Sequence, residues 1–188
     1  MSLEDFASFA LAFPGVSRAD ARLLHPHRRD LVCVTVAGDG GLPFAPEDPQ
    51  MDRLRRAILD HVWAPTRHQV ETYTVRWIRL ELTITTNARQ PDPVLSTVRF
   101  ALLEHFGTQQ APIGRDVAAQ DVIDVVTSVE AVTGATLRWF AEAGSLPGVL
   151  DRISAQGPRW DPARRTIGAA EIAALDPHQL QLRAEMQS

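Results

Sequence analysis

The sequence predicts an α+β fold: two small mixed α/β lobes built from related strand-loop-helix units. Three observations predict it. Asp48 to Val62 and Asp92 to Phe106 are copies of one pattern at a constant offset of 44 residues, with Asp, Pro, Arg, Ala, Leu and His recurring identically. Ahead of the second copy, Ile78, Leu80, Leu82 and Ile84 alternate with Arg79, Glu81, Thr83 and Thr85, the period-2 signature of a strand with one wet face. Val32, Val34 and Val36 share one face of an earlier run and Leu31, Cys33 and Thr35 the other, so that strand is apolar on both sides and belongs in the middle of a sheet.

In chain order, Leu3 to Phe13 carries Phe6, Phe9, Ala10 and Phe13 at helical spacing behind Ser2 as N-cap, and Pro14-Gly15 ends it. Two β-like runs follow, Ala19 to Leu24 and Leu31 to Ala37, joined by the charged turn His25 to Asp30. Gly38 to Gly41 and Leu42 to Glu47 read as a long surface loop. Each repeat copy begins with Asp as a cap and Pro at the first helical position, where its missing N–H is not needed. Both are therefore helices, with buried stripes Met51, Leu54, Ile58, Val62 and Leu95, Val98, Leu102, Phe106. Val70 to Val75 supplies a strand after the first helix, giving an αββαβ lobe over residues 1–75. The second lobe, 76–188, continues with a helix from Val117 to Val129 and a strand from Ala135 to Phe140. An irregular excursion over about 141–165 follows, with one short helix near Gly148 to Ala155, and Gln179 to Glu185 forms the closing strand.

Composition narrows the function classes. With 188 residues, 45% apolar and 22% charged, the chain buries roughly 70% of its extended surface without needing a disulfide or a structural metal. Its single cysteine, Cys33, excludes an intrachain disulfide scaffold and a Cys-rich zinc module. Nineteen basic against 23 acidic residues, net −4, give no global field toward nucleic acid or an anionic membrane, and neither is an expected partner. No stretch approaches the run of about 20 apolar residues that a membrane helix requires. The acidic start Met1-Ser-Leu-Glu-Asp5 is unlike a secretory leader, so a cytoplasmic location is expected.

Candidate chemistry is sparse. His25-Pro26-His27 has no third metal ligand at fixed spacing and is flanked by Arg28 and Arg29, so it reads as an exposed turn. Gly38-Asp-Gly-Gly41 lacks the Lys and Ser/Thr of a phosphate loop. Cys33 reads as a small core residue. His61 and His105 read as charges at helix C-termini, and Arg53, Arg55 and Arg56 as the solvated face of their helix. Trp63, Trp77, Trp139 and Trp160 read as plugs of a core or an interface. No triad, carboxylate pair or nucleophile elbow can be assembled, so no catalytic residue, metal or cofactor is assigned and the chain reads as non-enzymatic.

The order of features resembles the C-terminal half of the baseplate J-like family of contractile phage tails and extracellular contractile injection systems. The resemblance runs through Leu3-Glu-Asp-Phe6 to Phe13-Pro-Gly-Val-Ser-Arg-Ala19, the strand Val32 to Val36 and the helix Asp52 to Val62. It continues in the strand pair Val70 to Tyr73 and Trp77 to Thr85, the Ile113-Gly114 step, Asp121-Val-Ile123, Val129-Glu-Ala-Val132 and Ala169 to Leu175. It spans nearly the whole chain apart from Gly144 to Arg165, and it is the order of these features that carries it. The family's N-terminal half has no counterpart, so the chain is expected to be part of a longer protein or a naturally short member.

The resemblance implies a wedge component of the baseplate. Such a subunit joins other wedge subunits (itself or a J-like paralogue) and a small sheath-initiating protein in a ring around the tube, assembled in the cytoplasm into a contractile particle. It carries no catalytic residue to this sequence. Because Arg and Trp are enriched at interface hot spots, the expected contact surfaces are Arg28, Arg29, Arg79 and Glu81, with Arg152, Arg159 and Trp160 in the excursion. Two rivals remain: a stand-alone adaptor that takes a peptide as an added strand, and a small metal-dependent hydrolase using His25, His27 and a nearby acid.

Overall fold

A computed structural model describes residues 2–45, 47–61 and 67–186, the side chain of Arg28 excepted. The fold is α+β, as expected. It divides into two compact units, Met1–Thr74 with Gln156–Glu171, and Val75–Ala155 with Ile172–Ser188. The segment 156–171, read from the sequence as part of the second lobe, thus goes with the first unit.

In the first unit, α1 (Leu3–Leu11) opens on a reciprocal cap. The Asp5 N–H donates to Ser2 Oγ at 3.2 Å and the Ser2 N–H to the Asp5 carboxylate at 2.6 Å, which holds the Asp5 carboxyl below its usual range. The helix stops at Leu11, short of the expected Pro14-Gly15, and the chain turns at Gly15 with φ of +80°. Then β1 (Arg18–Leu24) pairs antiparallel with β2 (Leu31–Ala37). The helix α2 (Pro49–His61) connects β2 to β3 (Arg67–Glu71), which runs parallel to β2, so the order β1-β2-β3 puts β2 in the centre as expected. Every residue of β2 from Val32 to Ala37 is buried. Phe6 and Ala10 of α1 and Met51, Leu54 and Ile58 of α2 join Val32, Val34, Val36 and Val70 in one core. Val62 and Trp63 lie outside the described residues. The hairpin of β8 (Arg159–Asp161) and β9 (Thr166–Gly168) belongs to this unit.

The second unit is built on β4 (Tyr73–Thr86), whose first two residues fall in the first unit. The expected single strand Val70 to Val75 is instead interrupted at Thr72. Its hydroxyl donates to the Val36 carbonyl (3.3 Å) and accepts the Phe44 N–H (3.0 Å), which separates β3 from β4. The sheet order is β10-β4-β6, with β6 at Val132–Glu142 and β10 at Ala170–Met186. Ile78, Leu80, Leu82 and Ile84 point into a core with Val98, Leu102 and Phe106 of α3 (Pro91–Phe106) and Val122 and Val126 of α4 (Ala119–Thr127). The helix α3 starts at Pro91 with Gln90 as N-cap, so Asp92 sits inside the first turn instead of capping it.

Three local expectations are corrected in this unit. Val117–Ala118 is a short strand, β5, ahead of α4, and it pairs with β7 (Arg152–Ile153). The short helix near Gly148 to Ala155 is absent: Phe140 donates to the Gly148 carbonyl (3.0 Å) and accepts from the Leu150 N–H (2.9 Å), so the chain runs extended beside β6. The closing strand begins at Ala170, nine residues before the expected Gln179, because Ile172 to Leu175 are all buried and make strand, not loop. No helix among the described residues is long and apolar enough to cross a membrane.

Candidate functional site

Residues i and i+2 of a strand share a face, which sets Arg79 and Glu81 side by side on the outer surface of β4. Their guanidinium and carboxylate meet at 2.6 Å, with the side chains 32% and 22% exposed. Antiparallel pairing brings Trp139 of β6 directly opposite Glu81. The Arg79 guanidinium lies 3.7 Å from the centre of the indole ring, a cation-π stack that fixes both side chains. A β-bulge makes this arrangement. Along β6, Leu137 pairs with Leu82 and Trp139 with Glu81, so Arg138 is the extra residue and the alternation changes phase there. Strict alternation would give Leu137 and Trp139 one face; the bulge turns Leu137 and Phe140 toward the core and Trp139 outward. The indole N–H is nonetheless covered and has no hydrogen-bond partner among the described residues.

Beside this stack, Glu81, Thr83, Arg138, Gln181, Arg183 and Glu185 line a groove of about 360 Å³ across the three strands. Arg138 Nε donates to Thr83 Oγ1 at 3.3 Å. Charges of both signs and a stacked aromatic on a flat sheet face suit a protein surface better than a small ligand.

In the first unit, Arg29 is exposed after the turn Pro26–Arg28, and the Arg28 side chain lies outside the described residues. There β8 brings exposed Arg159 and half-buried Trp160 to the same turn, with the His27 ring edge-on to the indole at 5.5 Å. In the second unit, Arg152 lies 3.7 Å from the Asp116 carboxylate, which also accepts the Ala155 N–H. The described contacts of these residues thus lie within their own units: Trp160 with His27, Arg79 with Glu81, and Arg152 with Asp116. Sequence reasoning missed Trp139, Arg138, Gln181, Arg183 and Glu185 as neighbours of Glu81; only strand register connects them.

The two imidazoles of the His25-Pro26-His27 turn are engaged apart. His25 Nδ1 meets the Asp30 carboxylate at 3.0 Å while His27, at φ of +51°, contacts Trp160. No group of three or more His, Cys, Asp or Glu able to hold a metal ion occurs among the described residues. Cys33 is fully buried and its thiol is pushed up to about 11, chiefly by desolvation, which suits a core position and not a nucleophile. His61 donates to the Ala57 carbonyl at 2.8 Å, tying down the end of α2. A second groove, of about 1030 Å³, runs between α3 and α4, lined by Glu104, Phe106, Arg115, Asp121, Asp124 and Val125 among others.

Residues 1–71 match the family model of the baseplate J-like central domain. No curated protein matches the chain. Among solved structures, a chain of the anti-feeding prophage baseplate, determined by cryo-electron microscopy with six-fold symmetry, aligns at a TM-score of 0.56 and 10% identity. The alignment covers 93% of the present chain but 37% of that chain. Residues 1–71 of the first unit are thus similar to the baseplate J-like central domain, and the fold is shared with part of a chain of the anti-feeding prophage baseplate.

Proposed function

We propose that the chain is a structural, non-catalytic component of the baseplate of a contractile tail or injection particle: a wedge subunit that docks laterally on its neighbours to close a ring around the tube. The match of residues 1–71 to the baseplate J-like central domain carries this reading. Its partners are other wedge subunits, itself or a J-like paralogue, and the small sheath-initiating protein, met during assembly in the cytoplasm. The Arg79-Trp139-Glu81 stack supports it as a contact surface. A large aromatic held by a guanidinium that is itself ion-paired loses little rotamer freedom on docking, which is where interface hot spots gain.

The test is incorporation of the tagged chain into particles when the neighbouring baseplate, sheath and tube genes are co-expressed. Wild type sediments with particles; Trp139→Ala and Arg79→Glu, each checked for native circular dichroism, are lost from them. Full incorporation of both folded variants would overturn the assignment of this surface, and a wild-type chain that never sediments with particles would overturn the function. The adaptor rival predicts a chain that binds one peptide and stays off particles.

A further inference from the structure

We propose that the chain associates head to tail with a second copy of itself, the arginine face of α2 on one copy entering the α3-α4 groove of the next. The inference deepens the ring-forming reading above and rests on it. On α2, the inner positions Met51, Leu54 and Ile58 are buried. Arg55 is occupied, its guanidinium donating to the Val70 carbonyl and the Asp52 carboxylate. Arg53 and Arg56 stand i, i+3 on the remaining exposed face with no hydrogen-bond or ion-pair partner among the described residues. One further turn along, Leu59 is 65% exposed. The two guanidinium groups stand beside an uncovered leucine, with the exposed carboxylates of Asp52 and Asp60 one turn to either side of Arg56, so the apolar area of Leu59 and the donors of Arg53 are left for a neighbour.

The groove offers the complement. Glu104, Asp121 and Asp124 rim it beside the guanidinium of Arg115, with Asp116 already engaged by Arg152 and the Ala155 N–H, and Phe106 and Val125 lie in its wall. Glu104 has no partner among the described residues. Asp121 accepts the Ala118 N–H and Asp124 the Gln120 amide, each leaving a second carboxylate oxygen for an incoming donor. Like charges oppose groove against groove, whereas Arg53 and Arg56 of α2 meet unlike charges in the groove, so the unlike faces pair. Repetition of such a contact gives a ring or an open filament and not a two-fold dimer. Exposed ion pairs are individually weak and salt-sensitive, so the contact needs several of them together with burial of Leu59.

The experiment is sedimentation velocity of the full chain at low salt, with two charge-reversed variants, Arg53→Glu/Arg56→Glu and Glu104→Arg/Asp124→Arg. Asp121 is left intact because it serves the start of α4. Wild type self-associates, added salt weakens it, and each variant alone associates roughly tenfold more weakly or not at all. An equimolar mixture of the two variants recovers association, because each supplies the charges the other now needs. A monomeric wild type, variants that associate like wild type, or a mixture that stays dissociated would each overturn the contact. Variants that fail to self-associate yet enter particles like wild type would overturn the contact as the one that closes the ring and spare the baseplate reading. A chain that self-associates in this way yet never joins particles would overturn the baseplate reading and spare the contact.

Discussion

The helices α2 and α3 carry one sequence pattern, yet they differ in length, cap and outer face. Both bury the same three positions of the repeat, Leu54, Ile58 and Met51 in one and Val98, Leu102 and the half-buried Leu95 in the other. Both use the same arginine for the same task. Arg55 donates to the Val70 carbonyl of β3 at 3.3 Å, and Arg99, its equivalent 44 residues on, donates to the Leu180 carbonyl of β10 at 2.9 Å. The sequence assigned Arg55 to a solvated face; the structure shows a clamp between helix and strand. Where the copies diverge is outward, Arg53 and Arg56 against Thr97 and the exposed Phe100. The repeat preserves what attaches a helix to its own unit and leaves free what the helix shows to others.

The largest expected effect tests the shared core. Ile58 and Leu102 are equivalent and fully buried, so Ile58→Ala and Leu102→Ala should each cost about 2–5 kcal/mol in denaturant unfolding. A loss below about 1 kcal/mol in one of them would break the equivalence. Next comes a contrast in pH dependence between the units. Cys33 lies in the first unit, and burial raises its thiol from 9.0 to about 11. The folded state holds this proton more tightly, so its contribution is complete below pH 9 and is lost as the pH rises through about 11. That loss is on the order of 2 kcal/mol. Desolvation also raises the Tyr73 hydroxyl, which donates to the Gly41 carbonyl of the same unit, and this adds to the alkaline loss. Amide exchange across pH 8–11 should therefore rise first in the first unit, with Cys33→Ala reducing the difference.

The arginine clamps give a smaller, sharper comparison. Arg99→Ala and Arg55→Ala should each destabilise by about 1 kcal/mol, Arg99 the more because its bond is shorter and straddles two carbonyls. Equal effects would show that hydrogen-bond length does not set the difference. Smallest is the contrast of caps. The Asp48 carboxylate accepts the Gln50 N–H at 2.8 Å at the start of α2, whereas Asp92 lies within the first turn of α3. Asp48→Ala should cost about 1 kcal/mol and Asp92→Ala about 0.3 kcal/mol, read from thermal unfolding.

Much of the fold was legible because it is local. Ser2 and Asp5 at capping spacing, the 3.6-residue stripes of α2 and α3 and the alternation from Ile78 to Ile84 depend on residues a few places apart, whose preferences survive any tertiary context. Asp92-Pro93 misled for a local reason as well: Pro91, two residues before Pro93, is an equally good first helical residue and set the start earlier. Of the candidate surface, the pairing of Arg79 with Glu81 followed from period 2 alone.

What the sequence determined by itself is therefore the set of elements and the inward face of each, since hydrophobic periodicity is written residue by residue. The tertiary structure alone decided which strands became neighbours, that 156–171 belongs with the first unit, and that Trp139 faces Glu81. The physical reason is register. One extra residue at Arg138 reverses the phase of β6, and pairing across 58 positions of chain is chosen by the packing of whole faces and not by any neighbour in sequence.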